Sequence, residues 1–457
     1  MSPRTRLPSA LLISLSLWGA GCGASQATST APRPPTRAEA PEVRAEPDAP
    51  EDPIGRAPNR VERAAVQRLV REAAATRQLE PSRAIAVRVA GAQQIASRLA
   101  GQLDADDVEQ ARQEYTALGL LPPGLDLRTL LKELLAEQVV GFYDPERHDL
   151  VIRDDAARSL SRIGLSPELM QGRVALVHEI VHALQDQRLG LAEAMDADRD
   201  TDEEDAFHSL VEGDATLAMI GWLLGRAGQS LGELTQDPQR MLALRQLGAP
   251  SGRRLLEAPR IVQVSLLAPY LQGLGFCAAL HARGGFAAID RAYARPPVSM
   301  EQVMHPQKYL DQEEPEAVAL PNLPALEADG FQPLLDDTLG ELEMGVYLGR
   351  GTETGVDEDA AAGWGGDRLR VYRNADRFAV VWLSTWDDQQ EAEQAESAAR
   401  RAQGASSVEE RDGERVIRIG RALLILRGVP VTQQADVVAA LEESMRRLSD
   451  STQLAPR

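Results

Sequence analysis

The segment Ala175-Leu-Val-His-Glu-Ile-Val-His182 places three ionisable side chains inside an otherwise apolar run. Upstream, Ser166 and Pro167 provide an N-cap and a first-turn proline, so we expect one long helix from there to about residue 187. On a helix, positions i and i+4 share a face, and His178 and His182 can therefore reach one point. Burying such groups without a partner is costly, which favours a bound metal ion.

The pattern His-Glu-x-x-His has a specific chemical reason. Neutral imidazoles bind Zn²⁺ without cancelling its charge, and the ion lowers the pKa of a bound water to about 7. Glu179, set beside His178 and His182, is then placed to take a proton from that water as a general base. Histidine is rare in this chain, with six in total, so a chance match is improbable.

A third ligand is expected downstream of the pattern. The run 201–205 is dense in charge and typical of a solvated segment, whereas 207–224 is nearly all apolar or small and has Glu212 and Asp214 as its only acids. Because a carboxylate in a buried helix needs a cation, Glu212 is the predicted third ligand. His208, one turn earlier on the same face, is the alternative. Asp214 is expected either to orient a ligand histidine or to pair with an arginine.

These residues resemble the HExxH zincin metallopeptidases of the gluzincin type, represented by thermolysin. The matching positions are His178, Glu179, His182 and Glu212, the last lying in Leu210-Val-Glu-Gly-Asp-Ala215. The resemblance covers about 80–310 and implies a zinc ion, a peptide or protein substrate and a zincin fold. In that fold a twisted sheet has its edge strand before the active-site helix, and a mainly helical lobe follows. A strand pair predicted over 139–152 stands in the position of that edge.

The resemblance also implies a group that stabilises the oxyanion, since gluzincins often supply a histidine or tyrosine from the second lobe. His305, in a predicted loop after Pro296-Pro297, is the candidate for this catalytic role. Tyr143 and Tyr309 are further candidates. The alternative for His305 is a local hydrogen-bonding or capping residue.

The N-terminus reads as a targeting signal. Arg4 and Arg6 precede a short apolar run, and Gly19-Ala-Gly-Cys22 follows it, which is typical of a secretory signal peptide over 1–22. Its end resembles the bacterial lipobox, which implies lipidation of Cys22 and a membrane contact through that anchor alone; the alternative is an ordinary secretory signal. By resemblance to lipoprotein sorting signals, Gly23 in place of Asp implies the outer membrane rather than the inner. Residues 23–58 have almost no large apolar side chain and are expected to form a disordered tether.

Composition excludes several classes of protein. The chain has 457 residues and a formal net charge of −20, which argues against binding nucleic acid because phosphate contacts need clustered Lys and Arg. Two cysteines, Cys22 and Cys277, are too few for a disulfide framework or a cysteine-based zinc or iron–sulfur site. We expect Cys277 to be a small buried residue.

The predicted fold class is α+β. A mainly helical zincin-like domain with a small twisted sheet is expected over 59–312, a linker over 313–333 and a smaller α+β domain over 334–457. The predicted function is a zinc metallopeptidase in the bacterial cell envelope, facing the periplasm. The first alternative is a non-catalytic envelope lipoprotein that uses the zincin scaffold for binding or assembly. The second is a zinc hydrolase acting on a bond other than a peptide.

Overall fold

The computed structural model describes residues 54–160, 167–195, 197–237, 239–241, 252–404 and 413–450. Within these ranges the chain is α+β and mainly helical, as predicted from the sequence. The predicted signal peptide, Cys22 and most of the predicted tether lie outside the described residues.

The N-terminal part holds a small sheet among many helices. The strands are β1 (Ala86–Ala90), β2 (Gly141–Asp144) and β3 (Asp149–Arg153). The helices are α1 (Arg60–Arg77), α2 (Ala92–Gln102), α3 (Ala105–Ala117), α4 (Leu127–Gln138), α5 (Asp154–Leu160), α6 (Pro167–Leu189), α7 (Leu191–Met195), α8 (Thr201–Arg226), α9 (Leu231–Thr235), α10 (Arg253–Glu257), α11 (Arg260–Gly284), α12 (Phe286–Ala294), α13 (Met300–Met304) and α14 (Pro306–Asp311).

The three-stranded sheet has the order β1-β3-β2, so β2 is an edge strand. β1 runs parallel to β3, whereas β2 pairs antiparallel to β3 with Tyr143 opposite Leu150. Helix α6, which carries the histidine pair, packs beside β2, and α1, α5 and α8 also contact it. The expected edge strand before the histidine-bearing helix is therefore present.

Helices α8 and α11 make the most extensive helix–helix contact in the described chain, and two glycines allow it. A Cβ atom on Gly213 would overlap the carbonyl oxygen of Gly273, and a Cβ on Gly273 would overlap that of Ser209. The backbones of α8 and α11 thus approach each other closely at Gly213, the residue that follows Glu212. Among the described helices, α11 is the one long and apolar enough to cross a membrane, and 56% of its apolar window is buried inside the protein.

The C-terminal part is built on a second sheet. Its strands are β4 (Gln332–Asp337), β5 (Trp364–Asn374), β6 (Arg377–Trp386), β7 (Arg415–Ile419) and β8 (Ala422–Arg427). Its helices are α15 (Pro324–Ala328), α16 (Gly340–Leu348), α17 (Glu358–Ala361), α18 (Gln389–Gly404) and α19 (Val431–Asp450). The order is β4-β5-β6-β8-β7, with every neighbouring pair antiparallel.

Both faces of this sheet are covered, which explains the nearly continuous apolar sequence of its central strands. Val380 and Trp382 of β6 share a core with α18, while Val381 and Leu383 share another with α19. The predicted linker 313–333 contains α15 and the start of β4, and its apolar residues join the core on the α19 side. The domain limits drawn from the sequence stay predictions.

One apolar core runs from α2, α3 and α4 to the C-terminal sheet, so the two parts are packed together. Glu114 of α3 and Glu343 of α16 are buried at this junction, where the Tyr115 hydroxyl donates a hydrogen bond to Glu343 over 2.6 Å. Burial raises the pKa of both carboxyls well above 4.5, and the neighbouring acids Asp337 and Asp367 raise them further. The folded junction therefore retains protons that the unfolded chain releases.

We predict that Gly213→Ala destabilises the protein by about 3 kcal/mol or more, because the new methyl group forces α8 away from α11. The free energy of unfolding in urea measures this. Gly225→Ala, on the same helix with open space around it, is the matched control and should gain up to about 1 kcal/mol from helix propensity. Equal effects of the two substitutions would contradict the close crossing.

We predict that stability falls as the pH rises above about 5, by about 1.4 kcal/mol per pH unit for each buried carboxyl that stays protonated in the folded state. Glu114→Gln should then be more stable than the unaltered protein at pH 8, and this gain should vanish near pH 5. Thermal unfolding at the two pH values measures it. Glu109→Gln on the same helix, where an ion pair with Arg112 lowers the pKa of Glu109, should show no gain that grows with pH.

Candidate metal centre

The structure brings His178, His182 and Glu212 together at the crossing of α6 and α8. Oε2 of Glu212 lies 2.9 Å from Nε2 of His178 and 3.4 Å from Nε2 of His182, and the two Nε2 atoms are 3.0 Å apart. One ligand atom from each residue lies within 4.8 Å of the other two. The two histidines selected by their helical spacing and the glutamate selected as their partner therefore lie in contact with one another.

This point is enclosed in apolar structure. The side chains of His178, His182 and Glu212 are at most 3% exposed. The two imidazole rings meet edge to face with their centroids 4.6 Å apart, and the ring of Tyr270 on α11 lies 5.9 Å from that of His178. Electrostatic interactions are stronger in such surroundings than they are in water.

Burial and mutual attraction shift the pKa values of His182 and Glu212 in opposite directions. Burial alone lowers the pKa of His182 and raises that of Glu212, yet their mutual attraction is stronger. It raises the pKa of His182 to about 9 and, together with His178, lowers that of Glu212 to about 2. Two facing imidazole nitrogens and a carboxylate therefore need a cation between them, which a proton supplies at neutral pH.

The same residues fit a zinc ion. Two imidazole nitrogens and one carboxylate oxygen are the ligand set of many catalytic zinc sites. Oε1 of Glu212 is buried and has no hydrogen-bond partner among the described residues, so the carboxylate still has an oxygen to offer. No fourth protein ligand joins the group in the part of the chain that the structure describes.

Glu179 follows His178 on α6 and contacts the edge strand β2. Its Oε2 accepts a hydrogen bond from the backbone N–H of Tyr143 over 2.8 Å, and its side chain is fully buried. Because that N–H points away from β3, the contact joins α6 to the outer edge of β2. A small cavity with room for about one water molecule borders Glu179. It is lined by Val140, Gly141, Ile152, Ala156, Leu160, Gly172, Ala175 and Leu176, and not by the two histidines or Glu212.

A residue that the sequence analysis missed, Gln185, lies behind His182. Its Oε1 is 2.8 Å from Nδ1 of His182, and its Nε2 donates to the Val211 carbonyl and to Asp214. Asp214 also accepts a hydrogen bond from the buried Arg77 over 2.6 Å. Of the two expectations for Asp214, pairing with an arginine is therefore observed directly, and its contact with a ligand histidine runs through Gln185. Glutamine has no charge or motif that marks it in a sequence.

The candidates for oxyanion stabilisation are not brought into the histidine–glutamate group. Nε2 of His305 lies 2.8 Å from Oε1 of Glu341 in α16. The Tyr143 hydroxyl donates to Asp186 over 2.6 Å, and the Tyr309 hydroxyl donates to the Arg295 carbonyl over 2.8 Å. A catalytic role for His305 stays a prediction, and its observed contact is the local pairing considered as its alternative.

A second group of acids, Glu301, Glu313 and Asp387, has oxygens close enough to hold a metal ion. The ammonium group of Lys308 already lies among them, 2.6 Å from Glu301 and Asp387 and 2.8 Å from Glu313. The lysine neutralises these acids and joins α13 and α14 to the C-terminal sheet. The group is an ion-pair cluster.

Comparison with known proteins finds a similarity in the C-terminal part of the chain. Residues 332–444 match a family described as a domain of unknown function, DUF8575. The match runs from β4 into α19 and does not include the histidine–glutamate group. No curated protein matches the chain, and no solved structure matches it either.

We predict that Glu212→Ala lowers the affinity for zinc by about 100-fold or more, because it removes the carboxylate at the centre of the group. His208→Ala is the matched variant on the same helix and should leave the affinity unchanged, since Nε2 of His208 faces Glu204 at 3.3 Å. Competition with a chelator of known affinity measures both. The reverse ranking would make His208 the third ligand.

Proposed function

We propose that the protein is a zinc-dependent metallopeptidase that hydrolyses peptide bonds with a water molecule as nucleophile. The proposal rests on one observation, the convergence of His178, His182 and Glu212 within 4.8 Å of one another, with Glu179 next to the first histidine on the same helix. Such a set of three protein ligands leaves one coordination position for water or substrate.

The roles of the residues follow from their positions. Zinc, when bound, supplies a Lewis acid that activates water and polarises the scissile carbonyl. Glu179 accepts one proton of the attacking water as the new C–O bond forms, then delivers it to the leaving nitrogen as the C–N bond breaks. The hydrogen bond from the Tyr143 N–H holds one carboxylate oxygen of Glu179 at the edge strand.

The cellular setting is part of the proposal and rests on the sequence. The signal-like segment 1–22 supports export, and Cys22 supports a lipid anchor in the cell envelope facing the periplasm. Peptides or proteins of that compartment would be the substrates. The net charge of −20 disfavours nucleic acid as a partner.

A second candidate is a non-catalytic envelope protein that holds zinc. It is favoured by the enclosure of the centre, because ligand side chains that are at most 3% exposed leave little access for a peptide. Hydrolysis requires a movement that opens a path to Glu179, whereas a structural metal site does not. The two candidates share the zinc ion and differ in the need for Glu179.

We predict that the purified protein holds about one zinc ion per chain and cleaves members of a diverse peptide library. Glu179→Gln should retain the zinc ion and lose at least about 100-fold in the rate of cleavage, since a general base contributes that much or more. Metal analysis and mass spectrometry of the peptides measure the two quantities.

The matched control is Glu193→Gln, at an exposed position on α7, the short helix that follows α6. This substitution should leave both the zinc content and the rate of cleavage unchanged. Unchanged cleavage in Glu179→Gln would exclude the assigned role of this residue. A zinc-bound protein that cleaves no peptide in the library would support the non-catalytic candidate instead. A folded protein that takes up no zinc would refute the metallopeptidase and the zinc-holding candidate, and would leave a scaffold used for binding or assembly without metal.

A further inference from the structure

The amide of Gln185 has a fixed orientation. Its two N–H groups are both used, one by the Val211 carbonyl over 3.1 Å and one by Asp214 over 2.9 Å. Turning the amide over would place its oxygen against two acceptors, so the network itself assigns the nitrogen and the oxygen. Oε1 must therefore face Nδ1 of His182, 2.8 Å away, and accept a hydrogen bond from the N–H at that position.

This orientation determines which nitrogen of His182 is available. Because Nδ1 carries a proton that is donated to Gln185, Nε2 is the nitrogen that offers its lone pair once the metal replaces the second proton. Nε2 is also the atom directed at Glu212 and His178. Gln185 thus fixes both the rotation of the ring and the site of its remaining proton.

The partner of the amide is itself immobilised. Asp214 accepts hydrogen bonds from Nε of Arg77 over 2.6 Å and from the Tyr293 hydroxyl over 3.1 Å. The side chains of Arg77 and Asp214 have no exposed surface, and Arg77 also binds Asp290 over 2.6 Å. Arg77 is the last residue of α1, so a chain of polar contacts leads from the first helix to the ligand histidine.

We propose that Gln185 is the positioning residue of His182, and that Asp214 and Arg77 act on the metal centre through this amide. The inference rests on the proposed role of His182 as a ligand. Gln185 touches neither metal nor substrate, and its effect is on the affinity for zinc. Groups that orient ligand histidines typically contribute 10- to 100-fold to metal affinity.

The primary test is a pair of matched substitutions on α6. Gln185→Met keeps a similar side-chain volume and removes the amide, and we expect it to weaken zinc binding by about 10- to 100-fold. Gln187→Met is the same change two residues later, where the amide oxygen accepts hydrogen bonds from the backbone of Ser82 and Arg83 away from the centre. It should leave the affinity unchanged. Equal affinities for the two variants would overturn the proposal.

A double-mutant cycle separates positioning from general stability. In Asp214→Asn, the side chain turns its oxygen to Arg77 and its NH₂ to Gln185, which disturbs the amide and should weaken zinc binding by about 10-fold. In the Gln185→Met background the same change should have no further effect on affinity. A merely structural Asp214 would cost the same in both backgrounds, and that result would overturn the relay.

A measurement without metal keeps this inference distinct from the proposed function. In protein labelled with ¹⁵N at histidine, the Nδ1 proton of His182 should be hydrogen-bonded and slow to exchange with water, and Gln185→Met should make it exchange faster. The exchange measurement does not depend on zinc. If the unaltered protein binds no zinc, the proposed metal centre is refuted, but the orientation of His182 by Gln185 is not. A fast-exchanging Nδ1 proton in the unaltered protein would overturn the relay. Because this exchange measurement uses only the unaltered protein and Gln185→Met, it tests the relay even if Asp214→Asn does not fold.

Discussion

The structure depends on placing two imidazoles and a carboxylate in contact inside an apolar interior. Isolated, each of these groups would be costly to bury, and two imidazole nitrogens 3.0 Å apart would repel. The negative charge of Glu212 makes the arrangement tolerable because a shared cation, proton or metal, joins the three. This requirement explains why α6 and α8 must cross at these residues. It also explains why the chain uses glycine at 213, since α11 closes over the same crossing.

Helix α8 connects this centre to the rest of the molecule. Glu212 points to the histidines, whereas Asp214 reaches Gln185 and Arg77. At its other end the helix is held by the C-terminal sheet, since Thr201 donates to Asp337 of β4 through both its backbone and its hydroxyl. The part that matches the domain of unknown function thus contacts the helix that carries Glu212, although none of its described residues joins the histidine–glutamate group.

The sequence predicted the centre because its signals are local. Helical spacing aligned His178 with His182, and an acid within an apolar helix identified Glu212. Gln185 could not be found in this way, because its amide is oriented by the Val211 carbonyl and the Asp214 carboxylate, which lie 26 and 29 residues further along the chain. Strand β4 was missed for a related reason, since it begins at the end of a segment rich in Glu and Pro and is stabilised by pairing with β5. The core shared by α2–α4 and the C-terminal sheet joins residues more than 200 positions apart.

The number of ligands weighs on the choice between a catalytic and a structural metal. A structural zinc site closes its tetrahedron with four protein ligands, most of them cysteine. Within the described chain, this group offers three, and Glu179 follows the first histidine on the same helix. A fourth position left for water is a feature of catalytic zinc sites and not of structural ones. The enclosure argues the other way, because side chains that are at most 3% exposed leave little access for a peptide. The number of candidate ligands therefore supports the proposed hydrolysis, which in turn needs a movement that opens a path to Glu179.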